Sequence, residues 1–305
     1  MRYLSETESA SLVTEELAYT AVRQALIEAA DSQATVFPVV HGHAAEATNR
    51  FTVKSASSPS LVGLKMGSYF PGNDARGIPR HGSSILLLDK DTGRLAAVVE
   101  AARVNAYRTA AADAVAADVL ARPDARTLTV FGTGHQALYE CVALSKIRDL
   151  KAIHVAGRSA ERTRQFVEAL ADKGLDADRA EPREACEQAD IIVTATTATS
   201  PLFEADWVRP GTHVASMGSD ARGKQELPPD LLRRARLCCD LPSQSVTIGE
   251  FQHVADLADT VTAIGDVLVG AAEGRRSPED ITVFDSSGIA LQDLHVAQAL
   301  LAIRK

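Results

Sequence analysis

Gly132-Thr133-Gly134-His135-Gln136-Ala137 has the spacing G-x-G-x-x-A and lies between the apolar run Leu128-Thr129-Val130-Phe131 and a segment patterned as a helix. Each small residue has a task there: Gly132 permits a tight turn, Gly134 lets the backbone approach a pyrophosphate, and Ala137 lets the helix lie close to the sheet. The first turn of the helix then offers unspent N–H groups to phosphate, Gln136 and His135 being part of that turn. A strand-to-helix turn can exist without a ligand, but the context on both sides favours a dinucleotide. An Asp or Glu about 20 or more residues further on, at the end of the second strand, would hold the ribose and select NAD. No acid stands there. His154-Val155-Ala156 runs into Gly157-Arg158-Ser159, with Arg162 one helical turn later. Guanidinium groups and a hydroxyl suit a 2′-phosphate, so NADP(H) is the expected cofactor through Arg158, Ser159 and Arg162, with NAD(H) as the alternative. Arg164 reads as a solvated helix face, and His135 and His154 as cofactor-edge and structural residues. Cys141, Cys186, Cys238 and Cys239 have neither metal-ligand nor disulfide spacing and sit in apolar contexts, so they are assigned to packing and no metal is expected.

The elements that must position these groups can be read on either side of the motif. Six apolar runs, at 128–131, 152–155, 191–195, 212–216, 237–240 and 281–284, alternate with helical or polar sequence, which describes an α/β fold with a Rossmann-type, doubly wound parallel sheet. Ahead of it the texture differs. Ser5 and Glu8 form a possible capping box, and a helical pattern runs from Thr14 to Ala30. Short strands at 61–66 and 84–88 are then separated by turn-rich sequence, giving a smaller α+β unit. The Ala-rich stretch from Val98 to Leu120 reads as a helix joining the two. The apolar segment from Gly288 to Arg304 has helical spacing and is expected to fold back on the first unit. The division expected is 1–115 plus 288–305 for one domain and 116–287 for the other.

Composition narrows the partners. The chain has 305 residues, 32 Lys+Arg against 40 Asp+Glu, and a formal net charge of -8 with no basic stretch, which speaks against nucleic acid. No window approaches the roughly 20 apolar residues of a membrane span, and the first residues lack a secretory apolar core, so no membrane partner and a cytoplasmic setting are expected.

Beyond the glycine motif the sequence resembles the ornithine cyclodeaminase/μ-crystallin family over nearly its whole length. The likeness is carried by Arg50, by Lys65 with Tyr69-Phe70-Pro71-Gly72-Asn73, by Asp91-Thr92-Gly93, and by Tyr107-Arg108-Thr109-Ala110-Ala111. Behind the motif it continues in Gly218-Ser219-Asp220-Ala221-Arg222-Gly223-Lys224-Gln225-Glu226-Leu227 and Thr282-Val283-Phe284-Asp285-Ser286-Ser287-Gly288. The resemblance implies a nicotinamide cofactor, an imino- or amino-acid substrate, and a homodimer formed through the smaller domain, which would also bind substrate.

It also implies roles. Arg50, Lys65 and Arg108 match positions that hold the substrate carboxylate, for which a guanidinium is the apt partner. Asp220 matches the catalytic acid, with Lys65 beside it in the catalytic set. Asp220 would serve as acid or base at the imine nitrogen while hydride adds to the adjacent carbon. Thr109 is expected at the pyrophosphate, and Thr194, Ala195, Thr196, Met217 and Gly218 near the nicotinamide half. One departure bears on substrate: Arg80-His81-Gly82-Ser83-Ser84 replaces an apolar stretch, and His81 could read a second carboxylate or only complete a turn. Asp220 to Leu227, with Ser245-Val246-Thr247-Ile248-Gly249-Glu250, is more similar to the imine reductases than to the cyclodeaminases. The expected activity is NAD(P)H-dependent reduction of 2-imino acids to L-amino acids, the substrates being cyclic ketimines such as pyrroline- or piperideine-2-carboxylate, or iminosuccinate. A redox-neutral, ammonia-releasing ornithine cyclodeaminase and a non-catalytic μ-crystallin-like binding protein are the alternatives.

Overall fold

Ser5 caps the first helix through the anticipated box, its hydroxyl taking the Glu8 N–H while the Glu8 carboxylate takes the Ser5 N–H. From that start the computed structural model, which describes residues 1–304, runs β1 (Arg2–Leu4), α1 (Glu6–Leu12), α2 (Glu15–Ala29), β2 (Thr35–Val36), β3 (Val40–His43), β4 (Arg50–Ser57), β5 (Val62–Tyr69), β6 (His81–Leu88), β7 (Leu95–Glu100) and α3 (Ala102–Leu120). It continues through β8 (Thr127–Phe131), α4 (His135–Ile147), β9 (Ala152–Ala156), α5 (Ala160–Ala171), β10 (Asp178–Arg179), α6 (Pro182–Gln188), β11 (Ile191–Thr194) and β12 (His213–Ser216). The remainder is α7 (Pro229–Arg234), β13 (Arg236–Cys239), α8 (Pro242–Ile248), β14 (Thr262–Ala263), α9 (Ile264–Leu268), β15 (Thr282–Asp285) and α10 (Ala290–Ile303). Contacts divide the chain into two units, one of Met1–Arg108 with the segment from Ile289 onward, the other of Thr109–Gly288. Lys305, which closes the first expected domain, lies outside the described residues.

The first unit is a mixed sheet ordered β1-β7-β6-β5-β4-β2, with β3 also pairing β4; all its pairs are antiparallel except β1 with β7. Thr14 caps α2, which buries Ala18, Ala21, Val22, Ala25 and Leu26 at helical spacing, and α10 packs on α2 and on β5. In α10 the residues from Ala290 to Ala297 are buried without a break, so it has no solvent-exposed face over that stretch.

One sequence expectation is corrected in this unit. The helix expected from Val98 starts at Ala102, and Leu95–Glu100 is a strand, paired with β6 through Leu86↔Val98 and Ser84↔Glu100. Alanine favours helix, but here pairing with β6 overrides that preference, and Val98-Val99 carries the β-branched preference that suits a strand. The helix can start only where the Glu6 carboxylate accepts the Ala102 and Arg103 N–H groups, both at 2.8 Å.

The second unit is an eight-stranded, wholly parallel sheet ordered β10-β9-β8-β11-β12-β15-β13-β14. Its six longer strands are those expected; β10 and β14 are two-residue edge strands that leave no periodic trace in sequence. The central strands β11, β12 and β15 are buried at every position, as strands covered on both faces must be, with Phe131, Ile192, Val214, Phe251 and Val283 in one core. Strand order reverses between β8 and β11, which places a crevice at their carboxyl ends. Among the described residues no helix is long and apolar enough to cross a membrane.

Candidate functional site

Strand register decides which side chains of the first unit share a face, because directly paired residues point the same way. Lys54 is paired with Lys65, Arg50 with Tyr69, and Tyr69 with His81, so Arg50, Lys54, Lys65, Tyr69 and His81 occupy one face of the sheet. Lys65 is buried and its Nζ lies 3.0 Å from Asp293 Oδ1, which is also 3.2 Å from Arg108 Nε. Asn105 Oδ1 accepts from both Lys65 Nζ and Arg108, the latter at 2.8 Å, and Gln292 Oε1 accepts from Arg108 at 3.2 Å. The Arg108 Nε contact with Asp293 is an ion pair that is misaligned as a hydrogen bond. Asp293 Oδ2, Gln292 Nε2 and Ser83 Oγ are buried without a hydrogen-bond partner among the described residues.

Burial, and secondarily the Arg108 charge, pushes the Lys65 ammonium down to about 7, Asp293 opposing both. For Asp293 itself burial works against ionisation, and Arg108 and Lys65 outweigh it, holding the carboxyl below its usual range. Two buried cations therefore share one carboxylate, with Lys54 acting on the same pair. Such a cluster lowers its energy by accepting an anion.

Of the expected substrate residues, the structure brings Lys65 and Arg108 together. Arg50 and His81 are exposed and lie on the same face, four residues along β4 from Lys54 and four along β6 from Ile85, the partner of Lys65, about 13 Å along the strands. The His81 ring packs on Tyr69 at 4.7 Å between centroids, and the neighbouring Arg80 is engaged by Asp74. Sequence reading passed over Asn105, Gln292 and Asp293. The acid carried a signal: Asp293 lies among Leu291, Leu294, Val296 and Ala297, and a charge in an apolar helix has to be paired.

In the second unit the glycine turn has the anticipated form. Gly132 adopts φ 122°, a conformation L side chains rarely take, and a Cβ there would lie 2.6 Å from the Ala195 carbonyl oxygen, so this glycine also pins β8 against the end of β11. Gly134 caps α4 without a side-chain hydrogen bond, and a Cβ added to it would meet nothing within 4 Å. The cradle above the helix terminus is thus open to a phosphate. Ala137 is fully buried against the sheet, the Gln136 side chain is turned to Glu140 at 2.7 Å, and the His135 ring packs on Tyr139. Gln136 and His135 can therefore offer backbone N–H groups to a ligand.

Arg158, Ser159 and Arg162 are exposed after β9, where no acid stands, and the Ser159 hydroxyl caps α5 by accepting the Arg162 N–H at 3.4 Å. Arg164 is engaged by Glu161 and Glu168, a solvated face as expected. His154 donates or accepts at Asp178, and all four cysteines are buried and free. Thr194 is buried and its hydroxyl donates to Glu226 at 2.8 Å; Thr196 donates both its N–H and its hydroxyl to Glu226 at 2.7 Å. Ala195 lies between them, Met217 is buried, and the Gly218 N–H donates to Glu226 at 2.9 Å. Thr109 opens the second unit within α3. Asp220 is exposed in the loop after β12, held by Lys224 Nζ at 2.6 Å, which also donates to the Gly218 carbonyl. Among the described residues there is no group of His, Cys, Asp or Glu that could hold a metal ion.

Comparison with known proteins gives this arrangement its relatives. The iminosuccinate reductase of Paracoccus denitrificans is 36% identical over 312 residues, covering 100% of this chain and 97% of the relative. Its crystal structure in complex with NAD+ superposes with a TM-score of 0.94, covering 99% of this chain and 95% of the other. A dimeric archaeal alanine dehydrogenase with bound NAD is 30% identical with a TM-score of 0.91, covering 99% and 95% of the two chains. The Delta(1)-pyrroline-2-carboxylate reductase of Thermococcus litoralis in complex with NADH and L-proline is 26% identical with a TM-score of 0.90, covering 99% and 97%. The sequence pattern of the ornithine cyclodeaminase/mu-crystallin family matches residues 1–302, and with this the glycine turn, the buried cation cluster and the Asp220 loop have a common origin: the chain belongs to that family.

Proposed function

We propose that the protein is a nicotinamide-dependent reductase of 2-imino acids, forming L-amino acids. The observation that carries this reading is the buried Lys65–Arg108 pair sharing the single carboxylate of Asp293, an anion site built for one carboxylate end of a small substrate. Arg108 and Lys65 would grip the carboxylate, and Arg50 and His81, further along the same sheet face, would meet the rest of the substrate; His81 would read a second carboxylate if one is present. Fixing the substrate by a preformed cation pair supplies orientation and electrostatic stabilisation without reorganisation. A bound nicotinamide supplies hydride to the imine carbon. Asp220 would hold a proton at the imine nitrogen, and Lys224 keeps its carboxylate from turning away.

The cofactor would lie on Gly132, Gly134 and the first turn of α4, with Thr109 at the pyrophosphate and Thr194 to Thr196, Met217 and Gly218 at the nicotinamide end. The relatives described above hold NAD+, NAD or NADH. In this chain Arg158, Ser159 and Arg162 stand where an acid would select NAD, which supports NADP(H) as the favoured form. The smaller domain, expected over 1–115 plus 288–305, would be the substrate-binding and dimerisation domain, and the protein a homodimer.

The test is a panel of pyrroline-2-carboxylate, piperideine-2-carboxylate and iminosuccinate with NADPH and NADH, followed by loss of reduced-nicotinamide absorbance and by chiral analysis of the product. Consumption of cofactor with formation of the L-amino acid is expected; ammonia release from ornithine without net change in absorbance would identify a cyclodeaminase instead. Asp220→Asn should lower kcat by about 10²–10³-fold while leaving cofactor affinity within about twofold.

A further inference from the structure

Glu226 is a fully buried carboxyl group whose partners are hydroxyls and backbone amides. Its Oε1 accepts from the Thr196 N–H and the Thr196 hydroxyl, each at 2.7 Å. Its Oε2 accepts from the hydroxyls of Thr194 at 2.8 Å and Ser216 at 3.1 Å and from the Gly218 N–H at 2.9 Å. These donors come from two segments: Thr194 and Thr196 at the carboxyl end of β11, Ser216 and Gly218 at the carboxyl end of β12. The two strands are neighbours in register, Thr194↔Ser216, and their chains would otherwise part on leaving the sheet. They touch again at Gly218, where a Cβ would lie 2.3 Å from the Thr196 carbonyl oxygen. Glu226 itself is held from behind: the buried Glu250 carboxyl accepts the N–H groups of Glu226, at 3.0 Å, and Leu227, at 2.8 Å. The Gly223-Lys224-Gln225-Glu226-Leu227 segment and the Ser245–Glu250 segment thus form one device.

We propose that Glu226 is a positioning residue for the nicotinamide end of the cofactor, clamping the loop after β11 to the loop after β12 so that both present a fixed edge to the ring while the second loop carries Asp220. The proposal rests on the dinucleotide reading of this unit given above. Glu226, being fully buried, offers no surface to a ligand; it acts by spending the Thr196 and Gly218 N–H groups inward.

The chemistry of the amide makes Glu226→Gln a sharp probe. Hydroxyls can rotate to accept a hydrogen bond, but backbone N–H groups cannot. The Thr196 N–H is bound to one carboxylate oxygen and the Gly218 N–H to the other, so a glutamine, with a single acceptor oxygen, leaves one of the two loops facing an NH₂ whichever way it is turned. A buried donor left without its acceptor costs about 1–3 kcal/mol, so the loop swings away.

The experiment titrates wild-type protein and Glu226→Gln with NADH and ADP, and with NADPH and 2′-phospho-ADP, by fluorescence or calorimetry. Expected is a rise of about tenfold or more in Kd for the complete cofactor, with Kd for the adenosine half within about twofold. Equal weakening of whole and half, or no change in either, overturns the proposal, since a general loss of structure would not separate them. If Glu226→Gln does not fold, Ser216→Ala, which removes one of the five donors, should give a few-fold rise confined to the complete cofactor; an equal rise for whole and half, or none, overturns the proposal there too. Wild-type protein that binds none of the four ligands overturns the dinucleotide reading itself and this proposal with it, an outcome distinct from the others.

Discussion

Replacing Lys65 by Met should stabilise the ligand-free protein while disabling it. Lys65 has an ordinary value of 10.5 and is brought to about 7 by burial, then by Arg108, with Asp293 opposing. In the unfolded chain the ammonium persists up to 10.5, whereas in the fold it is lost above about 7. Unfolding between those limits takes up a proton, so stability rises with pH across the window, by up to about 1.4 kcal/mol per unit. Below about 7 the fold bears the full cost of the buried charge, at most about 5 kcal/mol. Lys65→Met removes that cost and leaves Asp293 paired with Arg108 at 3.2 Å. Urea or guanidinium unfolding at pH 6, 7, 8 and 9 would show it: the variant more stable at pH 6 and 7, the two curves converging towards pH 9. The variant should also lose about a hundredfold in kcat/KM for an imino acid, the worth of a charge-assisted hydrogen bond to the substrate carboxylate. In the wild type kcat/KM should fall as pH rises through about 7, because only the ammonium binds that carboxylate. Parallel stability curves, or a variant less stable than wild type at pH 6, would refute the account of Lys65 as a cation held at a cost.

Arg158→Ala should raise KM for NADPH about tenfold or more and KM for NADH less than twofold; equal effects in steady-state kinetics would remove the 2′-phosphate assignment. The two motif glycines should separate stability from binding. Gly132→Ala meets both a φ of 122° and the Ala195 oxygen at 2.6 Å, and should lower Tm by several degrees, at a cost of about 2–4 kcal/mol. Gly134→Ala fills open space at φ -95°, so Tm of the ligand-free protein should change by less than about 2 °C while Kd for the dinucleotide rises about tenfold, and calorimetry of both variants checks the pair.

What could be read from the sequence depended on how far apart the interacting residues lie. The parallel sheet was legible because its strands are buried on both faces and bounded by helices, and the turn at Gly132 because its whole logic is contained in six residues. β7 was misread because the helix preference of alanine is overridden by pairing with β6, and the decisive Glu6 cap lies 96 residues from the Ala102 N–H it accepts. The positions of Lys65 and Arg108 were available from the likeness to a family, their geometry was not: Asn105 and Asp293 join them only when β5, α3 and α10 are brought together. Glu226 was part of a noted segment, yet nothing local says that its carboxyl group turns inward to bind Thr194, Thr196, Ser216 and Gly218.

Residues that serve the fold differ from residues that burden it. Asp293 could be dispensed with if Lys65 and Arg108 were apolar, and α10 would then bury one charge fewer around that turn. Instead three ionised groups are drawn from three elements into one place, where Asp293 Oδ1 serves two cations and Oδ2 has no hydrogen-bond partner among the described residues. The acid lowers the cost of the cations without cancelling it, and Lys65 responds by giving up its proton near neutrality. An anion entering the cluster restores that proton, so binding above pH 7 should be accompanied by proton uptake, and the charge that destabilises the empty site becomes the source of its affinity. A site of this kind is held together against its own stability by the rest of the unit, chiefly the packing of α10 on α2 and β5.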